Sequence, residues 1–126
     1  MNAQTLKALQ TDRLVDITTK GRKTGQARRI EIGIWPLSDG FAISGRPGRP
    51  RGWYANLRAN PDFTVHLKQS IQADLPAKAT PVTSAADRRR IISEIAQRRT
   101  GQQMDVEAWV AGSPLVRVEF RDDRVL

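Results

Sequence analysis

The run Thr18-Thr19-Lys20-Gly21-Arg22-Lys23-Thr24-Gly25-Gln26-Ala27-Arg28-Arg29 gathers the groups in this chain best suited to chemistry: two glycines, neighbouring threonines and five cations within ten residues. Glycine lets the backbone turn tightly and come close to a ligand. Threonine hydroxyls and backbone N–H groups donate hydrogen bonds, and lysine and arginine pair with phosphate or carboxylate. The run therefore reads as a grip for a multiply charged anion. A merely solvated turn carries charge but needs neither the paired glycines nor the threonines. Three or four charge-assisted bonds, at roughly 1.5–3 kcal/mol each, suffice to hold a polyanion at micromolar concentration.

Two strands must carry this loop. In residues 13–19, Val15 and Ile17 alternate with Asp16 and Thr18, the period of a half-buried strand. Residues 29–35 alternate strictly, with Ile30, Ile32 and Ile34 on one face and Arg29, Glu31, Gly33 and Trp35 on the other. Pro36 and Asp39-Gly40 predict a turn into a third strand over 41–44, completing an antiparallel meander. Residues 45–52 (GRPGRPRG) hold three Gly, two Pro and three Arg and predict irregular structure. A short helix follows over 53–59, ended by Asn60-Pro61.

Phe63, Val65 and Leu67 give a fourth strand. The segment 71–82 gives a fifth, with Ala73, Leu75, Ala77 and Ala79 on one side and Pro76 marking an edge or a bulge. At the N-terminus, residues 2–10 suit a short helix with Leu6 and Leu9 on one side. Ser84 opens a longer helix, with Asp87 at capping spacing and Ile91, Ile92 and Ile95 as its apolar stripe, ending near Arg99. A helical piece over 104–110 precedes a last strand over 115–120, with Val116, Val118 and Phe120 inward and a turn at Asp122-Asp123. Runs of strands with few helices predict a mainly β, antiparallel single domain over residues 1–126, closed as a small barrel.

Composition narrows the chemistry. The 126 residues suit one core, and 39 % of them are apolar. Cysteine is absent, which excludes disulfides, thiol catalysis and cysteine–metal sites, and one histidine, His66, argues against a metal cluster or a hydrolytic triad. No window approaches a membrane span, and residues 1–9 have no signal-type apolar core, so a cytoplasmic location is expected. The net charge of +8 favours an anionic partner: nucleic acid, an acidic surface or a phosphorylated cofactor.

The motif TTKGRKTGQARR, then a strand, a DG turn, a strand, a Gly/Pro loop and WYANLRANP, resembles the deazaflavin-dependent nitroreductase and quinone reductase family. The likeness runs over about residues 11–83 and more loosely from Trp109 through SPLVRVEF. It implies a split β-barrel of the flavin-reductase type and an oxidoreductase using reduced deazaflavin (F-420), with FMN as the alternative cofactor. It also implies a planar, electron-poor acceptor such as a quinone or nitroaromatic, and a possible homodimer. Carried over by residue, the cofactor site is Lys20, Gly21, Arg22, Lys23, Thr24, Gly25, Arg28 and Arg29, with Ser44, Gly45, Trp53 and Asn56 along the cofactor. Backbone N–H groups near Ser44 and Gly45 are expected to face developing negative charge. The Gly/Pro loop is arginine-rich in this chain (Arg46, Arg49, Arg51).

Other signals read as structural. Tyr54 is expected in the core, Trp53 divides between core and ring contact, and Trp35 and Trp109 read as core or interface. Asn56 also suits local backbone bonding. His66 is expected to bond locally, Arg88, Arg89 and Arg90 to be solvated, and Asp16 and Glu31 to pair with nearby arginines. No catalytic residue and no metal ligand is assigned. A non-catalytic binder of a cofactor, tetrapyrrole or fatty acid is the first rival. A nucleic-acid binder ranks behind it, because the cations cluster in loops instead of interleaving with aromatics on strand faces.

Overall fold

The computed structural model describes residues 1–99 and 103–121. Six strands, β1 (Leu14–Lys20), β2 (Ala27–Leu37), β3 (Gly40–Ser44), β4 (Asp62–Leu67), β5 (Ala73–Pro81) and β6 (Leu115–Phe120), close into a barrel in the order β1-β2-β3-β6-β5-β4. Every adjacent pair is antiparallel. The helices are α1 (Ala3–Thr11), α2 (Gly52–Ala59), α3 (Ala85–Arg98) and α4 (Val106–Gly112). The expected mainly β architecture with flanking helices is met. The turn expected at Asp122-Asp123 lies outside the described residues.

Period-2 alternation fills the barrel. Val15, Ile17, Ile34, Ile43, Val65 and Val116 are fully buried and face one another inside. Ala8 and Leu9 of α1 and Leu57 of α2 join this interior core. Asn2 caps α1 by accepting from the Thr5 N–H at 2.8 Å, and Asp12, buried just after the helix, accepts from the Ser70 N–H and hydroxyl at 3.0 and 2.9 Å. Leu6, expected to share the apolar side with Leu9, is instead 44 % exposed.

A second core lies outside the barrel wall. Ile91, Ile92 and Ile95 of α3 pack with Leu37, Ala42, Val82 and Leu115, and Trp35 and Trp109 border them. The start of β6 is thus buried on both faces, Val116 inward and Leu115 toward the helices, where alternation alone placed only the inward set. Ser84 caps α3, its hydroxyl accepting from the Asp87 N–H.

Two expectations are corrected here. Pro76 does not mark an edge, because β5 lies between β4 and β6. N and O of a strand residue point to the same side, and the Pro76 carbonyl accepts from Arg121 just beyond β6. The missing N–H therefore falls where β6 ends and interrupts no ladder bond. Arg88 is not a solvated surface cation. Its guanidinium donates to the carbonyls of Val82, Trp109, Val110 and Ser113 at 2.6–3.1 Å. Arg89 and Arg90 are exposed, and Arg89 pairs with Glu107 on α4.

Candidate functional site

The loop between β1 and β2 is a closed structure. The Gly21 N–H donates to the Gln26 carbonyl at 2.8 Å, and the Gly25 N–H donates to the Gly21 carbonyl at 2.9 Å. Gly25 sits at φ +73°, a conformation that glycine adopts without cost, and a Cβ on Gly21 would meet the Gln26 oxygen at 3.1 Å. Both glycines are explained by the turn itself, which presents Arg22, Lys23 and Thr24 outward.

The loop borders a groove of about 440 Å³. One wall comes from Gly21, Arg22, Lys23 and Thr24, continuing along β2 through Arg28 and Ile30. The other comes from Pro50, Gly52 and Trp53, and Thr19 and Asn56 also line it. Asn56 ties the two segments together. It is 6 % exposed, accepts from the Arg22 N–H and Nη1 at 3.2 Å, and donates to the Thr19 hydroxyl at 3.1 Å. The expected local backbone role of Asn56 is therefore replaced by a cross-link between α2, β1 and the basic loop.

Strand alternation sorts the remaining expected residues. Thr19, Arg28 and Ile30 continue the inward face of β1 and β2 beyond the point where the barrel closes, so they open into the groove. Lys20 and Arg29 point the other way. Lys20 and Gly25 border a separate concavity with Phe63 and Thr64, and Arg29 donates from Nε to Asp16 at 3.0 Å. Ser44 and Gly45 also lie away from the groove lining. The buried Ser44 hydroxyl and the Gly45 N–H both donate to the Pro114 carbonyl, at 2.8 and 3.2 Å. The Gly45 N–H is therefore committed and does not face developing charge.

Sequence reasoning missed Ile30, Pro50 and Gly52, and read Thr19 only as a donor of the basic run. Ile30 shares a strand face with Ile32 and Ile34, yet it is 36 % exposed. Its spacing of two from Arg28 was the available signal, since residues i and i+2 share a face. Trp53 lines the groove and also packs against the barrel core. Tyr54 packs against that core as expected.

On the outer wall, Asp16 accepts from Lys68 at 2.8 Å as well as from Arg29, and Lys68 also pairs with Glu31. The Lys68 and Arg29 hydrogen bonds hold the Asp16 carboxyl below the usual carboxylate range. Glu31 thus pairs with a lysine where an arginine was expected. His66 bonds the Thr18 hydroxyl and Asp74, each at 2.7 Å, the local bonding expected of it.

A family model described as F420H(2)-dependent quinone reductase matches residues 1–121. The chain belongs to that family. As a member of the F420H(2)-dependent quinone reductase family it is an oxidoreductase whose cofactor is reduced F420. Solved structures agree on the split-barrel fold. One described as HutZ, the heme storage protein from Vibrio cholerae, is 14 % identical with a TM-score of 0.70, covering 94 % of this chain and 89 % of the other. A candidate pyridoxamine 5′-phosphate oxidase from Listeria innocua is 11 % identical with a TM-score of 0.65, covering 94 % and 92 %. An F420-H2 dependent reductase, FDR-A, is 21 % identical with a TM-score of 0.59, covering 86 % and 95 %. No curated protein matches the chain.

Proposed function

We propose that the groove between the basic loop and α2 binds reduced F420 and presents it to a planar, electron-poor acceptor such as a quinone or nitroaromatic. The observation that carries this reading is the composition of one groove. Cations and hydroxyls (Arg22, Lys23, Arg28, Thr24) meet an apolar strip (Ile30, Pro50, Trp53) within about 440 Å³. That donor set fits a ligand with a polyanionic tail and a planar ring. Arg22, Lys23 and Arg28 would hold the phosphate and acidic tail, and Trp53, Pro50 and Ile30 would hold the ring.

When bound, the cofactor supplies a hydride. The chain's own residues orient and exclude water. Asn56 fixes the Arg22 backbone and guanidinium, so a cation is already in place before the ligand arrives, and preorganisation of this kind lowers the ordering cost of binding. Trp53 is anchored in the barrel core on one side, which keeps its groove face rigid. Cytoplasmic location and a homodimer belong to the same reading, the dimer being testable by sedimentation.

The test is a fluorescence titration of the protein with F420 and, separately, with FMN, repeated on an Arg22→Ala, Lys23→Ala double variant. Two charge-assisted contacts of roughly 1.5 kcal/mol each predict about a hundredfold loss of F420 affinity. Wild-type binding of FMN alone would move the chemistry to flavin. Tight F420 binding without turnover across quinones and nitro compounds would favour a non-catalytic binder. Binding unchanged in the double variant would overturn the assigned loop role.

A further inference from the structure

We infer that Arg88 and Arg51 are positioning residues that hold the Gly/Pro wall of the groove in place through the C-terminal end of α4. Neither side chain lines the groove. The connection runs through a chain of hydrogen bonds and close contacts. Arg88, on α3, donates to the carbonyls of Trp109, Val110 and Ser113 at 3.1, 2.8 and 2.6 Å, and to the Ser113 hydroxyl at 3.3 Å. A helix leaves its last carbonyls without intrahelical partners, and a guanidinium, cationic and carrying five donors, satisfies several of them at once. Its remaining contact, to the Val82 carbonyl at 3.0 Å, fastens the same end to the close of β5.

Two residues at and just past the end of α4, Gly112 and Pro114, then hold the Gly/Pro loop at both of its ends. At the start of the loop, the Pro114 carbonyl accepts from the Ser44 hydroxyl and the Gly45 N–H. A Cβ on Gly45 would meet the Pro114 Cγ at 3.3 Å and the Trp53 ring at 3.6 Å, so the approach here is close. At the far end, Arg51 Nη2 donates to the Gly112 carbonyl at 2.6 Å. Between them, a Cβ on Gly112 would sit 3.5 Å from Pro47. Arg51 stands between Pro50 and Gly52, both of which line the groove, and Trp53 follows. A loop of three glycines and two prolines has no ladder of its own to fix it. Its position therefore depends on these external bonds, and α4 is in turn fixed by Arg88.

For the reaction, this makes the width of the groove a property of the α3–α4 pair. The functional consequence rests on the groove being the F420 site, whereas the mechanical claim does not. Hydrogen exchange in the ligand-free full chain tests the mechanical claim directly, using wild type, Arg51→Gln, Arg51→Lys and Arg88→Lys. The expected result is at least tenfold faster exchange of the hydrogen-bonded amides within residues 45–53, Gly45 and Arg49, in Arg51→Gln and Arg88→Lys, with β1, β2 and β4 peptides unchanged and partial recovery in Arg51→Lys. Arg51 is exposed, so its variants keep the test decisive if Arg88→Lys fails to fold.

The paired measurement is F420 affinity and single-turnover hydride transfer. We expect both to worsen several-fold in Arg51→Gln at unchanged melting temperature, with partial rescue by lysine. Exchange of the Gly45 and Arg49 amides within twofold of wild type in Arg51→Gln would overturn the inference. Faster exchange with wild-type affinity and transfer rate would overturn its functional half. Failure of the wild-type chain to bind F420 would instead remove the site reading and leave the exchange result standing.

Discussion

At the scale of single residues, Asn56 separates structure from electrostatics. Its carboxamide accepts from Arg22 and donates to the buried Thr19 hydroxyl, so truncation strands partners on two elements. Losing a buried polar partner costs about 1–3 kcal/mol, and Asn56→Ala should lower the melting temperature by roughly 5 °C. Asn56→Asp should behave differently. The carboxylate still accepts from Arg22, more strongly because both are charged, and the Thr19 hydroxyl can turn to donate. Stability should stay near wild type while F420 affinity falls at least tenfold, because a negative charge now lines the groove. Thermal unfolding beside a fluorescence titration checks this. Equal losses of stability in the two variants would refute the division of roles.

At the scale of elements, the basic loop works because β1 and β2 run past the closed part of the barrel. The strict Ile30-Ile32-Ile34 alternation revealed the strand and its face, but not where that face leaves the core. Ile34 is buried and Ile30 is 36 % exposed on the same face, and only the closure of the barrel decides the boundary. The three consecutive arginines of α3 were equally opaque, since three of the four Arg88 carbonyl partners are contributed more than twenty residues later. Pro76 misled for a related reason. The rule that proline marks an edge concerns a missing ladder bond, and a closed barrel still offers such a place wherever a neighbouring strand stops. What the sequence did expose was local: caps at Ser84, turns at Asp39-Gly40, and the glycine-bounded loop. Gly25→Ala tests that loop as an element. Its φ of +73° costs a non-glycine residue about 1–2 kcal/mol, while the space around a new Cβ is ordinary, with Lys20 Cε at 3.6 Å. Melting should fall by several degrees, and Gly25→Asn should recover part of it because asparagine tolerates this region.

At the scale of the whole molecule, charge and barrel closure meet on the outer wall. The net charge is +8, so the folded state already carries self-repulsion that its acidic residues offset. Asp16 of β1 joins Arg29 of β2 to Lys68 just after β4, spanning three adjacent strands. Its carboxyl is held below the ordinary range, first by the Lys68 hydrogen bond and then by Arg29, and the Arg89 hydrogen bond lowers Glu107 in the same direction. A group whose folded pKa is depressed contributes stability above its unfolded pKa and loses it as pH falls through the folded value. The melting temperature should therefore hold steady from neutral pH to about 5 and drop below about pH 4, where carboxylates ordinarily titrate. Protonation raises the net positive charge at the same time, so the loss should steepen as the pH falls further. The converse holds for Lys68, whose pKa the Asp16 and Glu31 hydrogen bonds raise, so its contribution persists through the alkaline range and fades only above the ordinary lysine value. Asp16→Asn should lower stability at pH 7 and leave it nearly unchanged at pH 3, flattening the acid limb. Because these pairs lie at the surface, 0.5 M salt should shrink the difference between variant and wild type at pH 7. An acid limb of equal steepness in Asp16→Asn and wild type would show that the three-strand ion cluster contributes nothing to holding the barrel closed.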